Sequence, residues 1–334
     1  MKLATFLPAE LPASPPRIGA LDRSAQHLVD LQAVATARDA RPHESLQDML
    51  ALLGAGQDGM QLARGLLEFA ERSGQSDWQF PLSSVRLLAP VPVPRSLRDC
   101  MVFEQHLVQA SRRIIGRRFP PLAWFDALWQ RLSGRSLLVP RVWYERPVYY
   151  KGNVHSVVGH DWPVRWPSYS QRLDFELEIG IFVGRRGRDI PVDRASEYIA
   201  GYTVFNDFSA RDVQLREMQA RLGPAKGKDF DTGNVLGPYL VTPDEIPDPY
   251  NLRMTARVNG ATWGEGNSGR MRHRFEEIIA YVSRDETILP GDFIAAGTVG
   301  NGCGLEQNRW LAPGDVVELE IECLGVLRNQ VVQT

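Results

Sequence analysis

The chain lacks the features that would place it in a disulfide-bonded, membrane-bound or nucleic-acid-binding class. Cys100, Cys303 and Cys323 are odd in number and far apart, which excludes both a disulfide framework and a zinc spacing. No apolar run approaches the ~18 residues of a membrane helix. Prolines interrupt the apolar residues that follow Lys2, which argues against a signal peptide. A net charge of -2 and a pI near 6.3 give no general attraction to nucleic acid or to a membrane surface. The short basic clusters at residues 112–118 and 185–188 read as solvated faces or turns. What remains is a globular protein expected in the cytoplasm. Its 334 residues, 43% hydrophobic and 23% charged, allow one large domain and a small companion.

Read along the chain, residues 1–30 are short extended pieces broken by prolines. Ser45 is a candidate N-cap for a helix over residues 46–53. A second helix over 59–72 places Met60, Ala63, Leu66, Leu67 and Ala70 on one face and stops at Gly74. A strand at 85–89 leads into the proline-rich residues 90–95, which suit neither a helix nor an inner strand. A boundary there divides a small N-terminal α/β domain, 1–94, from a catalytic region, 95–334. Residues 99–118 read as helical, and those from there to about 170 as irregular with short strands. Asp193 is placed to cap a short helix through Ala200. A strand at 201–207 ends in Asp207, and a helix begins near Ser209. The last hundred residues are rich in strands and turns.

Two stretches alternate strictly. Residues 173–184 set Asp174, Glu176 and Glu178 between Leu173, Phe175, Leu177 and Ile179. Residues 317–322 do the same with Glu318, Glu320 and Glu322. A period of two marks a strand with one buried face, and acids on the other face ordinarily mean that it is wet. They can also converge on a cation, because carboxylates two residues apart stand roughly 7 Å apart at the backbone. Two features favour the cation for the first stretch. Asp207 ends a strand some thirty residues later, and Arg211, Gln214 and Lys228 follow it. Three carboxylates with positions left for water suit a hard ion: Mg²⁺, with Mn²⁺ or Ca²⁺ as alternatives.

Four segments carry a resemblance: Leu173-Asp-Phe-Glu-Leu-Glu178, Asn206-Asp-Phe-Ser-Ala-Arg-Asp-Val-Gln214, Gly227-Lys-Asp-Phe230 and Gly297-Thr-Val-Gly300. Together, and in this order, they resemble the fumarylacetoacetate hydrolase family over roughly residues 95–330. The resemblance implies an α+β fold, with a rolled mixed β-sheet in the catalytic domain and a small N-terminal domain. It implies a divalent ion held by Glu176, Glu178 and Asp207, with Asp99 as a further ligand seven residues before His106. His106 then resembles the general base that activates water, and Glu306 the carboxylate that orients it. Arg211, Gln214 and Lys228 resemble the groups that face a developing oxyanion. Tyr150 and Thr298 resemble substrate contacts, and Thr232 lies near the metal shell. A homodimer is a further implication.

Some positions depart from the family pattern. Met218 stands where fumarylacetoacetase has an aromatic residue. The arginine that grips a distal carboxylate has no single counterpart, and Arg112, Arg113 and Arg117 are the candidates. Asp174 matches the motif but has no assigned role. Gly300, Gly302 and Gly304 invite a nucleotide-loop reading, but the full fingerprint and the following βαβ pattern are missing. His155, His160 and His273 match nothing. The activity this implies is metal-dependent hydrolysis of a carbon–carbon bond in a 1,3-diketo acid, such as an acylpyruvate. Hydration or isomerisation of an unsaturated 2-oxo acid, or decarboxylation of an oxaloacetate-type acid, would use the same metal site. A metal-stabilised binding protein is the reading outside catalysis; the cationic and amide groups near Asp207 argue against it.

Overall fold

The computed structural model describes residues 1–11 and 13–333, with Arg117 and Arg118 described by backbone alone. The fold is α+β. A 12-stranded mixed sheet has Leu177–Val183 near its middle, flanked by Ile199–Asp207 and Phe293–Ala295. A 5-stranded sheet contains Arg253–Val258, Val316–Ile321 and Gly325–Val332. One large cluster of buried side chains includes Ile179, Ile181 and Val204 of the large sheet and Met254, Leu319 and Leu327 of the other.

The N-terminal residues extend the large sheet. Lys2–Pro8 pairs with Asn234–Val241 through Lys2↔Val241 and Leu3↔Leu240. Their helices cover one face of that sheet, where Val34, Leu52 and Leu66 share a cluster with Phe182, Phe205 and Phe293. Each such phenylalanine contributes about 1.5–3 kcal/mol by its burial. Gly180 is required here. A Cβ on it would lie 2.3 Å from the Phe293 ring, so any side chain would push the ring out of this cluster.

Helix Gly56–Ser73 buries Ala63, Leu66 and Ala70 and ends on Gly74 at φ 67, in the left-handed conformation that glycine adopts without strain. Other expected elements differ. Ser45 caps no helix: Glu44–Leu46 is a 3-10 turn, and Asp48 caps Met49–Gly54 by accepting from the Ala51 N–H. Asp99 lies in a strand, Leu97–Cys100, and the helix begins only at Glu104. That strand exists because it pairs in parallel with Phe293–Ala295, a partner too distant for local periodicity to reveal. The region expected to be irregular holds the helix Pro120–Ser133. Its two prolines occupy the first helical positions, where their missing N–H groups cost nothing, and Gly134 closes it at φ 74. Asp193 caps no α-helix either, since Val192–Tyr198 is a 3-10 turn that runs directly into strand Ile199–Asp207.

Candidate active site

The acidic stretch is not one strand. Leu173–Asp174 pairs with Ser209–Ala210, Glu176 bridges to Cys303, and the main strand begins at Leu177. Glu178 is paired opposite Phe205, so Asp207, two residues on, lies diagonally from it on the same face. Phe205 and, further along, Phe182 make this face apolar; at Glu178 and Asp207 it becomes acidic. On the other side of the sheet's centre, Ala295 pairs with Gly180 and also with Asp99, which brings a third carboxylate in.

Asp99, Glu178 and Asp207 are all buried, and one oxygen from each lies within 4.8 Å of the others. Asp99 Oδ1, Glu178 Oε2 and Asp207 Oδ1 have no hydrogen-bond partner. Burial pushes all three carboxyls above their ordinary range, and Asp207 and Asp99 push further on Asp99 and Glu178 respectively. Lys228 partly offsets the rise at Asp207. Buried carboxylate oxygens without partners are costly, and these three oxygens fit a hard divalent cation. Two of the remaining oxygens are occupied: Thr298 Oγ1 donates to Glu178 Oε1 at 3.2 Å, and Tyr150 donates to Asp207 Oδ2 at 2.5 Å. Thr298 follows Gly297, whose φ of +86 and whose closeness to the Cys100 carbonyl (2.3 Å from a Cβ) admit only glycine.

Glu176 stands beside this triad with different partners. Its Oε1 accepts from Arg211 Nη2 at 2.6 Å, and its Oε2 pairs with Lys228. Burial alone would raise its pKa, but the two cations override that and hold it well below the usual range. Lys228 also pairs with Asp207. Burial opposes its charge, yet Asp207 and Glu176 raise its pKa, so it stays protonated.

Arg211 is gripped on three sides. Nε donates to Asp174 Oδ2 at 2.8 Å, Nη1 to Gln214 Oε1 at 2.9 Å, and Nη2 to Glu176. Asp174 also accepts the Gly304 and Leu305 N–H groups at 2.8 and 3.0 Å. It therefore ties Arg211 to the start of the short helix Gly304–Gln307, which carries Glu306. This is the role that the sequence left unassigned. The Gly300, Gly302 and Gly304 turn packs on the acidic stretch, with Gly302 O accepting from Leu177 N.

Glu306 Oε1 lies 3.1 Å from His106 Nδ1, which comes from helix Glu104–Arg118. His106, Glu176, Glu178, Arg211, Gln214 and Lys228 line one cavity of about 320 Å³. Tyr150 and Thr298 line it too. Leu107, Ile114, Val148, Leu215 and Met218 form an apolar wall to the same cavity. Neither Arg112 nor Arg113 lines it. Arg112 turns to Asp126 and Gln130 of the next helix at 2.8 and 2.6 Å, while His106, Leu107, Ala110 and Ile114 share the helix face toward the cavity. The Arg117 side chain lies outside the described residues. Thr232 points elsewhere, its hydroxyl accepting from the Arg165 N–H at 2.8 Å. Cys303, with Sγ 3.9 Å from His106 Nδ1, carried no signal in the sequence.

This fold is that of a known enzyme class. The profile for the fumarylacetoacetate (FAA) hydrolase C-terminal domain matches residues 133–332, and the chain belongs to the fumarylacetoacetate hydrolase family. One relative, oxaloacetate tautomerase fahd2, mitochondrial, of Xenopus laevis, is 30% identical over 99% of this chain and 90% of its own length. Human oxaloacetate tautomerase FAHD2A, mitochondrial, is 40% identical over 189 residues, 56% of this chain and 60% of that protein. Among solved structures, the fumarylacetoacetate hydrolase of Exiguobacterium antarcticum superposes with a TM-score of 0.69 at 25% identity, covering 100% of each chain. The similar proteins thus include both tautomerases and a hydrolase. Among the described residues, no helix is long and apolar enough to cross a membrane.

Proposed function

We propose that this protein is a divalent-metal-dependent enzyme of small 2-oxo acids, and that its reaction is the keto–enol tautomerisation of an oxaloacetate-like dicarboxylate. The observation that carries the reading is the set of unpartnered oxygens on Asp99, Glu178 and Asp207, in the same site as the His106–Glu306 pair. The kind of reaction follows the two relatives named for oxaloacetate tautomerisation. Asp99, Glu178 and Asp207 hold the ion, with Glu176 at its border, and Mg²⁺ is our first choice for it. A bound divalent cation supplies positive charge that polarises a 2-oxo group and eases loss of the proton beside it.

The chain's own groups do the rest. Glu306 engages His106 Nδ1 and leaves Nε2 to exchange protons. Nε2 takes a proton from the carbon next to the 2-oxo group, and the electron pair moves onto the oxo oxygen. A proton then returns to that oxygen, giving the enol; the reverse sequence restores the keto acid. Arg211 donates to the Gln214 carbonyl oxygen, so that Gln214, which lines the cavity, has its amide N–H groups left to donate. There, with Lys228, they face charge that forms on oxygen.

Carbon–carbon hydrolysis of an acylpyruvate or fumarylacetoacetate-like acid is the second reading, with His106 drawing a proton from water instead. The apolar wall of Leu107, Ile114, Val148, Leu215 and Met218 favours it, since oxaloacetate has no apolar tail to place there. One experiment separates the two. Protein with Mg²⁺ or Mn²⁺ is given oxaloacetate and, separately, a series of acylpyruvates, while enol absorbance and pyruvate are both followed. Faster enol–keto relaxation without pyruvate supports the tautomerase, and stoichiometric pyruvate release from acylpyruvates supports the hydrolase. No acceleration of either kind in metal-loaded protein would sink both.

A further inference from the structure

We propose that His106, Cys303 and Glu306 form a second metal site, selective for a borderline-soft cation such as Zn²⁺. Their ligand atoms all lie within 4.8 Å of one another. His106 Nδ1 is 3.1 Å from Glu306 Oε1 and 3.9 Å from Cys303 Sγ. A tetrahedral zinc with bonds of about 2.0–2.3 Å separates its ligand atoms by about 3.4–3.6 Å, so the two His106 separations need shifts of only a few tenths of an ångström, and the Cys303–Glu306 separation, within 4.8 Å, closes as the two side chains turn onto the ion.

The clamp is built from two elements. Cys303 is the residue before helix Gly304–Gln307, and its N–H donates to Glu306 Oε2 at 3.3 Å, which fixes the two ligands relative to each other. His106 comes from a helix some two hundred residues earlier in the chain. The Cys303 side chain is fully buried and those of His106 and Glu306 nearly so, leaving a fourth position for water. The donor sets differ in kind. Sulfur, imidazole and one carboxylate suit zinc, whereas Asp99, Glu178 and Asp207 offer oxygen alone, which suits Mg²⁺ or Mn²⁺.

Binding releases the Cys303 thiol proton to solvent and forms the sulfur–metal bond. A metal on Nδ1 fixes the imidazole proton on Nε2, which then cannot accept another. Zinc is therefore an inhibitor, a consequence that rests on the proposed role of His106 as the proton-exchanging group. The site itself does not rest on that role.

The test uses the full chain saturated with Mg²⁺ and titrated with Co²⁺, a coloured stand-in for zinc. A thiolate-to-cobalt charge-transfer band in the near ultraviolet is expected at one equivalent, displaced by Zn²⁺. It disappears in Cys303→Ser and persists in Cys100→Ser, with circular dichroism confirming that both variants fold. No band in the wild-type protein, or a band that survives Cys303→Ser, overturns the site. In a parallel arm, Zn²⁺ at one equivalent lowers turnover at least tenfold, and Cys303→Ser relieves the inhibition. A band without inhibition overturns the role given to His106 and leaves the site standing.

Discussion

Two strands of this molecule carry the same pattern and come to opposite ends. In Val316–Ile321, Glu318 and Glu320 point to a half-open face, and Glu320 pairs with Arg257 at 2.7 Å, the two side chains 38% and 33% exposed. In the stretch that includes Leu177–Val183, Asp174, Glu176 and Glu178 are all buried. Both strands bury their apolar residues in the same cluster. The difference lies in what covers the acids. Water covers Glu318 and Glu320, while Asp99, Asp207, Arg211 and Lys228 surround the others. Alternation tells which residues share a face; only the tertiary neighbours tell whether that face is a surface or a site.

The strongest way to break the comparison is Glu178→Gln. The loss of one ligand should reduce metal-dependent turnover by about 10³-fold or more, consistent with several kcal/mol of electrostatic stabilisation. It should also abolish the heat of metal binding in calorimetry. In metal-free protein the same change should not lower Tm, because it removes one of three mutually repelling anions. Retained metal affinity would mean that the buried acids are not a cation site.

A weaker effect is expected at Asp174, which touches no metal ligand in the triad but holds Arg211 and the helix that carries Glu306. Asp174→Asn keeps the shape and loses the charge that pairs with Arg211. Turnover should fall by about 10–100-fold, the usual cost of losing a supporting partner. The loss should be chiefly in kcat, with metal affinity changed little. A variant whose KM alone rises would show that Asp174 serves binding rather than orientation.

Protons sharpen the contrast further. Asp99, Glu178 and Asp207 have pKa values above those of unfolded carboxyls, so in the metal-free protein the folded state binds more protons than the unfolded one. Their contribution to stability therefore falls as pH rises from about 4 through their raised range. Glu176 acts in the opposite sense: its lowered pKa contributes stability that is lost on acidification below the unfolded range. Metal binding must displace the protons on the triad, so apparent affinity should rise with pH, up to about tenfold per unit for each proton released. Calorimetry in buffers of different ionisation enthalpy measures that release. An affinity independent of pH from 5 to 8, a span of about three units around neutrality, would argue that the triad is already ionised without metal.

Much of this was legible in the residues, for physical reasons that also mark the limits. Helix Gly56–Ser73 buries Ala63, Leu66 and Ala70, three of the five residues that its period places on one face, and strand Ile199–Asp207 is legible as an extended run that ends in an acid. Leu97–Cys100 is a strand only because Phe293–Ala295 lies beside it, and Pro120–Ser133 begins on prolines that resemble a loop. At the site, the motifs brought His106, Glu306, Glu178 and Asp207 into view. The division between Glu176, held by cations, and Asp99, with an oxygen left free, depends on side-chain direction. No spacing encodes that. The same holds for Arg112, which faces Asp126, and for Thr232, which faces Arg165.

The smallest expected effect is the control that gives the others meaning. Glu320 alternates as Glu178 does, on a strand of similar length, and its ion pair with Arg257 is more than a third open to solvent on one side. Such pairs contribute about 0–1 kcal/mol, because water solvates both partners nearly as well when they are apart. Glu320→Gln should therefore shift unfolding by no more than about 1 kcal/mol and leave turnover and metal affinity unchanged. Added salt should shrink even that shift, since screening acts on exposed charges before buried ones. A loss of metal binding in Glu320→Gln would place a cation on the second strand as well. The distinction between a wet acidic face and a ligating one would then have to rest on something other than burial.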